Sequence, residues 1–340
     1  MYLQLLNKSV SGETLSEQEA FEMMNEIMEG NVTSSQIASL LSILRYRGET
    51  VEELTGFAKA MRAHMTTLDF DGDLIDTCGT GGDGAQTFNI STAAAIVISS
   101  LGVKVAKHGN RAVSSKSGSA DVLEKLGIDI QATGEEAIRA LNETGMSFLF
   151  APLYHSAMKH AVVPRKEIGF RTVFNLLGPI SNPACCKRQV IGVFSIDHAE
   201  KLAQTMKNLG SKHVLFVTGR DGLDEVTITM ETDVVELIDG EIRRFVLKPE
   251  ELGLQRGTIE ELTVSTSEES ASLIEAIITE QSNISATNIV IINSAVALYV
   301  AGKVKSISEG VTLAREALRN GTVEQHLTKL RTRKVEGYAY

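Results

Sequence analysis

This sequence predicts an α/β protein with a small helical N-terminal domain and a larger domain built on a mostly parallel sheet. Three observations carry that prediction. Three capped amphipathic helices follow one another within residues 1–65, short apolar strands alternate with helices from residue 74 onward, and a glycine-rich loop closes the first of those strands. In the first region Ser16 with Glu19, Thr33 with Gln36, and Thr50 with Glu53 each fit the S/T-x-x-E/Q capping box, and Gly30 and Gly48 are placed as helix stops. Apolar residues recur at helical spacing: Phe21, Met24, Ile27 and Met28, then Ile37, Leu40, Leu41 and Leu44, then Leu54, Phe57, Ala58 and Met61. Residues 1–70 therefore read as a helical domain and residues 71–340 as the α/β domain. Within the latter, strands are expected at 74–77, 103–106, 147–150, 190–195 and 214–218, with helices at 92–100, 119–126, 135–144 and 199–209. An antiparallel excursion is expected over 227–246, with Asp239-Gly240 as its hairpin turn, followed by helices at 268–279, 288–300 and 308–319.

Composition narrows the function. At 340 residues, 43% hydrophobic and 22% charged, the chain matches an ordinary globular protein of about two domains. A net charge of -10 argues against a nonspecific nucleic-acid surface or an anionic membrane partner, and any anionic substrate then needs a locally basic pocket. Cys78, Cys185 and Cys186 are too few and wrongly spaced for a disulfide framework or a zinc site. The first residues lack the layout of a signal peptide, and no apolar run approaches the roughly 20 residues that span a bilayer. A cytoplasmic protein is expected.

Four segments carry candidate chemistry. The first is Cys78-Gly79-Thr80-Gly81-Gly82-Asp83-Gly84, followed by Thr87, Asn89, Ile90, Ser91 and Thr92 at a helix start. Glycines let the backbone present N–H groups to a ligand, and a helix N-terminus favours anions, so this is an anion-binding layout with one oddity, the carboxylate of Asp83. The formal match to G-x-G-x-x-G does not make a dinucleotide site. The helix opens well after the glycines, no acid stands near residues 103–110, and the P-loop pattern is absent. The second segment is Lys107-His108-Gly109-Asn110-Arg111-Ala112-Val113-Ser114-Ser115-Lys116-Ser117-Gly118-Ser119, whose cations, hydroxyls and glycines suit phosphate oxygens. The third, residues 155–171, holds His155, Lys159, His160, Arg165, Lys166 and Arg171; it suits a carboxylate, or is a charged helix face. The fourth is Asp224-Glu225 after a strand, a pair suited to Mg²⁺ or to a solvated surface.

Taken in order, Cys-Gly-Thr-Gly-Gly-Asp, Asn-Ile-Ser-Thr, Lys-His-Gly-Asn-Arg, Ser-Ser-Lys-Ser-Gly-Ser-Ala-Asp-Val-Leu-Glu, Phe-Arg-Thr-Val-Phe-Asn-Leu-Leu-Gly-Pro and Gly-Leu-Asp-Glu make the chain resemble the anthranilate phosphoribosyltransferases over essentially its whole length. The resemblance implies a homodimer through the helical domain, joined by part of 155–180, and a reaction in the tryptophan branch. 5-Phosphoribosyl diphosphate (PRPP) and anthranilate would give N-(5-phosphoribosyl)anthranilate and pyrophosphate with Mg²⁺. It implies PRPP contacts from Gly79, Gly82, Asp83, Thr87, Asn89, Ile90, Ser91, Thr92, Lys107, His108, Gly109, Asn110, Arg111, Ala112, Val113, Ser114, Ser115 and Ser119. Metal would fall to Ser91, Asp224 and Glu225, and anthranilate to Gly79, Asn110, His155 and Arg165, with Arg165 facing the carboxylate. Asp83 then suits ribose hydroxyls, attached waters or the metal's hydration shell.

The residue types fit that chemistry. Displacing pyrophosphate from an anomeric carbon builds negative charge on the leaving group, which metal, Lys107 and backbone N–H groups can stabilise. An aromatic amine is already nucleophilic at neutral pH, so positioning by Asn110 and Arg165 matters more than a strong base. His108, His155 or the substrate's own carboxylate can accept the departing proton. Two departures from the family pattern flank the pocket: His155-Ser156-Ala157-Met158 in place of His-Pro-Ala-Met, and Val163-Pro164-Arg165 in place of Pro-Val-Arg. The alternatives are a pyrimidine-nucleoside phosphorylase, which shares the general architecture and a Lys-His-Gly segment, and a non-catalytic relative that binds nucleic acid.

Overall fold

The computed structural model describes residues 1–81, 84–112 and 117–332. Its N-terminal helices are Tyr2–Val10, Glu17–Met28, Ser34–Arg47 and Val51–Ala63. All three expected capping boxes form, with Ser16, Thr33 and Thr50 each accepting from the backbone three residues on. Glu53 goes further: fully buried, it also accepts the Leu15 N–H at 2.9 Å and pairs with Arg47 at 2.6 Å. The helices Glu17–Met28 and Val51–Ala63 meet most closely at Gly56, where a Cβ would overlap the Glu17 carbonyl. The first helix, Tyr2–Val10, was not foreseen; no side chain caps it, and it is held by burying Tyr2 and Leu6.

Among the described residues the strands form one seven-stranded sheet in the order β3-β2-β1-β4-β5-β6-β7. They are β1 Ile75–Gly79, β2 Val105–Gly109, β3 Met146–Phe150, β4 Arg188–Gly192, β5 His213–Gly219, β6 Thr232–Ile238 and β7 Glu241–Leu247. The first five are parallel, and β6 and β7 add antiparallel to the edge of β5. Asp239 and Gly240, with φ of 48° and 85°, make the tight turn between β6 and β7. Side chains alternate across the sheet. Val190, Leu215 and Val217 face the helices Ile90–Ser100 and Ile284–Val300, whereas Ile191, Val214 and Phe216 face the helix Ile196–Asn208 and the helical domain. That double cover explains the apolar, near-continuous strands.

The segment between β3 and β4 forms helices Ala151–Tyr154, Lys159–Ile168 and Val173–Leu177. Lys159–Ile168 packs against Ser34–Arg47 and Glu17–Met28, so this excursion leaves the α/β domain to rest on the helical one. Pro164 lies inside that helix and cannot donate to the His160 carbonyl four residues back. His160 itself covers Gly30, whose φ of 79° and lack of a side chain admit the ring. The expected closing helices form as Ser267–Ile278, Ile284–Val300 and Ile307–Arg319, and a further helix, Thr322–Thr332, follows them. Among the described residues no helix is long and apolar enough to cross a membrane.

Candidate active site

The strand order changes direction between β1 and β4: β2 and β3 follow on one side of β1, β4 and β5 on the other. In a parallel sheet such a switch parts the loops and opens a crevice at the carboxyl ends of the strands. Gly79 ends β1, Gly192 ends β4, and the two are register partners there. Asp224, from the loop after β5, fills the notch they leave. A Cβ on Gly79 would press on its carboxylate, lying 2.9 Å from Cγ, and one on Gly192 would overlap its backbone carbonyl. Asp224 Oδ2 accepts the Gly81 N–H at 2.7 Å, and Glu225 Oε1 accepts the Ser91 N–H at 3.1 Å. Two adjacent acids are thus drawn against the glycine loop and the first turn of the helix Ile90–Ser100.

Lys107 joins the same point from β2. It is 1% exposed, and its Nζ donates to the Thr77 carbonyl at 2.5 Å and reaches Ser91 Oγ at 3.2 Å. Burial pushes its pKa below the ordinary lysine range, opposed first by Asp76 and, more weakly, by Glu225. Asp76, in β1, is fully buried and its pKa is raised by that burial, with Lys107 pulling the other way. Asp76 accepts from the His108 N–H at 3.2 Å and from Asn182 Nδ2 at 2.8 Å.

Two histidines face each other beyond Lys107. The rings of His108 and His155 have centroids 5.1 Å apart, and the Nε2 atom of each is buried with no hydrogen-bond partner among the described residues. Burial, reinforced by His155, lowers the His108 pKa to about 3; burial also lowers that of His155. Both rings are therefore neutral at pH 7. Arg165 lies over the Phe174 ring at 5.1 Å. Burial lowers the Arg165 pKa too, but a guanidinium keeps its charge.

Several expected ligand residues already have protein partners. Asn89 takes the hydroxyls of Ser117 at 2.6 Å and Ser270 at 2.9 Å, fixing the loop before the helix. Thr87 bridges to Thr263. Ile90 and Thr92 are buried in the core, the latter with an unpartnered hydroxyl. Gly109 leaves no space for a side chain against Ser119 and Phe148, and Ser119 Oγ donates to the Asn110 carbonyl at 3.4 Å. Arg111 pairs with Asp121 at 2.8 Å and Glu124 at 3.0 Å and lies 5.7 Å from the Phe150 ring centroid, while the Ala112 N–H binds Asp121 at 2.9 Å. Asn110 is exposed at the mouth of this loop. Gly82, Asp83, Val113, Ser114 and Ser115 lie outside the described residues.

Ser91, Asp224 and Glu225 give a donor set of oxygens alone, which suits a hard cation. Among the described residues no three His, Cys, Asp or Glu side chains converge on one point, so a metal here would draw its remaining ligands from phosphates and water, as Mg²⁺ favours. The sequence reading missed Asp76, Gly192 and Asn182. The signal for Asp76 was available: an acid in the middle of an otherwise apolar, buried strand demands partners.

The chain matches two models of the glycosyl transferase family, the helical bundle domain over residues 3–65 and the a/b domain over residues 71–324. It is 65% identical to the anthranilate phosphoribosyltransferase of a Geobacillus species over 339 residues, covering 100% of both chains. Among solved structures it is similar to the anthranilate phosphoribosyltransferase of Thermus thermophilus, with a TM-score of 0.89 and 41% identity over 96% of this chain and 98% of that one. It is also similar to the Saccharomyces cerevisiae enzyme in complex with PRPP and Mg, with a TM-score of 0.88 and 27% identity over 97% of each chain. With its switch-point crevice, paired acids and buried lysine now matched along the full length of these relatives, the chain belongs to the glycosyl transferase family and, within it, to the anthranilate phosphoribosyltransferases.

Proposed function

We propose that this chain transfers the 5-phosphoribosyl group of PRPP to the amine of anthranilate, giving N-(5-phosphoribosyl)anthranilate and pyrophosphate, the second step of the tryptophan branch. The observation that carries the reading is the convergence, at one end of the sheet, of an anion-suited loop and paired acids with a pair of neutral buried histidines. The phosphate-rich half of PRPP lies along the glycine loop, the first turn of Ile90–Ser100 and the segment from Lys107 to Ala112. Ser91, Asp224 and Glu225 would hold Mg²⁺, which would supply positive charge against the diphosphate. Lys107 adds a fixed cation where the leaving group gains charge, in surroundings dry enough to make it count.

Anthranilate lies on the histidine side, its carboxylate on Arg165 and its amine toward the anomeric carbon. The C1–N bond forms as the C1–O bond to pyrophosphate breaks, and the amine then gives up one proton. His108 and His155, both neutral, or the substrate's own carboxylate would accept it. Gly79 borders both halves because its Cα stands beside Asp224.

Homodimerisation through the helical domain is supported by apolar side chains left exposed on adjoining helices: Leu3, Val10, Tyr46, Val162 and Val163, with Tyr46 96% exposed. The reading also places the enzyme in the cytoplasm, in keeping with three unpaired cysteines. The test is loss of anthranilate fluorescence with PRPP and Mg²⁺ present. No turnover by folded protein contradicts the assignment.

A further inference from the structure

The ladder between β1 and β2 stops short. β1 keeps register with β4 from Ile75 to Gly79, and β2 with β3 from Val105 to Gly109, but β1 and β2 stay in register only where Ile75 meets Val105. A continuing parallel ladder would bring the Thr77 N–H to the Ala106 carbonyl and the His108 N–H to the Thr77 carbonyl. Side chains take those places instead. Asn182 Nδ2 donates to the Ala106 carbonyl at 2.9 Å, Asp76 Oδ1 accepts the His108 N–H at 3.2 Å, and Lys107 Nζ donates to the Thr77 carbonyl at 2.5 Å.

These exchanges depend on one another. Asp76, Ala106, Lys107, His108 and Asn182 are all buried, and a buried backbone group without a partner costs as much as a lost hydrogen bond. The strands can part only while Ala106 and His108 find partners elsewhere, and Asn182 and Asp76 supply them. The two side chains are also joined: Asn182 Nδ2 donates to Asp76 Oδ2 at 2.8 Å, and Asn182 Oδ1 accepts the Ala184 N–H at 2.8 Å. With the His108 N–H on Asp76, the Thr77 carbonyl is left to Lys107, whose Nζ also reaches Ser91 Oγ at 3.2 Å. A zipped ladder would return the His108 N–H to that carbonyl and displace the lysine.

We propose that Asp76 and Asn182 are positioning residues for Lys107: by engaging the backbone of His108 and Ala106 they keep β1 and β2 parted, and so hold the lysine ammonium beside Ser91, where the diphosphate binds. That the ligand there is a diphosphate rests on the function proposed above; the parted ladder does not. Asp76 and Asn182 themselves touch no substrate and act through the lysine. A purely structural pair would lower stability and cost the same affinity whether or not Lys107 is present.

The test is a double-mutant cycle on the full-length enzyme, read by calorimetry as the Kd for inorganic pyrophosphate with Mg²⁺ and by kinetics as kcat/KM for PRPP. Asp76→Asn, which keeps the shape but turns one acceptor into a donor, and Asn182→Ala should each weaken both quantities by roughly 10-fold. In a Lys107→Met background the same changes should cost less than about 3-fold, because the group they position is gone. Equal losses in the two backgrounds overturn the proposal, as does wild-type affinity in folded Asp76→Asn and Asn182→Ala. A second measurement needs no variant of the clamp: amide hydrogen exchange in ¹⁵N-histidine-labelled wild type. Slow exchange at the His108 amide supports its bond to Asp76, and free exchange in folded wild type overturns the proposal even if every variant unfolds. Wild type that binds pyrophosphate and shows the coupling, yet does not use anthranilate, keeps this inference and removes the acceptor proposed above. Wild type that binds no pyrophosphate overturns the inference.

Discussion

Replacing Gly79 by alanine tests the notch at the switch point. The added Cβ would stand 2.9 Å from Asp224 Cγ and closer still to its Oδ2. Non-bonded carbons sit at about 3.5–4.0 Å, so the carboxylate must withdraw by roughly 0.6–1 Å. The backbone of Asp224 offers little play, because its carbonyl is packed against Gly192. Withdrawal breaks the 2.7 Å bond from Gly81, a charge-assisted bond worth about 1.5–3 kcal/mol. A displacement near 1 Å in a reacting assembly costs on the order of 100-fold in rate. Steady-state kinetics by anthranilate fluorescence, with PRPP and Mg²⁺ each titrated, should show kcat/KM for PRPP down about 30- to 100-fold and a higher Mg²⁺ requirement. A variant within about 3-fold of wild type, with an unchanged Mg²⁺ profile, would show that Asp224 does not position metal through this notch.

Arg165→Ala should raise KM for anthranilate by about 30-fold, the worth of one charge-assisted contact, and leave PRPP within about 3-fold; equal damage to both means the pocket lies elsewhere. Asp224→Asn combined with Glu225→Gln should change the Mg²⁺ dependence of turnover, measured by the same assay, and an unchanged profile refutes the metal assignment. Gly56→Ala should destabilise the helical domain by roughly 1–3 kcal/mol through overpacking against Glu17 and Ala20, read as a lower urea midpoint with an unchanged slope. His326 is buried against Ser99, and burial lowers its pKa from 6.5 to about 4. Between those values the unfolded chain binds the proton and the folded one does not, so its stabilisation is full above pH 6.5 and is lost as pH falls toward 4. His326→Asn should therefore lose less Tm than wild type between pH 7 and 4; parallel curves contradict the buried neutral histidine.

The parts of this protein written in local chemistry were legible before the structure. Capping boxes at Ser16, Thr33 and Thr50 form because each side chain satisfies the helix start it stands in, independent of tertiary context. Asp239-Gly240 works the same way for the hairpin. The helices at Tyr2 and Thr322 escaped notice because packing holds them: Leu6, Val323 and Leu327 are buried, yet no capping box precedes either run. The helix Lys159–Ile168 was obscured by Pro164 and by charged residues that face the site and solvent. Motifs brought Gly79, Ser91, Lys107, Asp224 and Glu225 to attention, but not the reason they meet. That reason is register: Gly79 pairs with Gly192, 113 positions along the chain, and only the strand order puts Asp224 between them. Asn182 was invisible for the same cause, since its role lies in what Asp76 and Ala106 require.

The most direct test of the central claim follows the bond itself. Enzyme incubated with ¹⁵N-anthranilate, PRPP labelled with ¹³C at the anomeric carbon, and Mg²⁺ should yield a product with ¹³C–¹⁵N coupling and one pyrophosphate released for each anthranilate consumed. Pyrophosphate release without the coupled product, or cleavage of a pyrimidine nucleoside by orthophosphate in place of this reaction, would contradict the account.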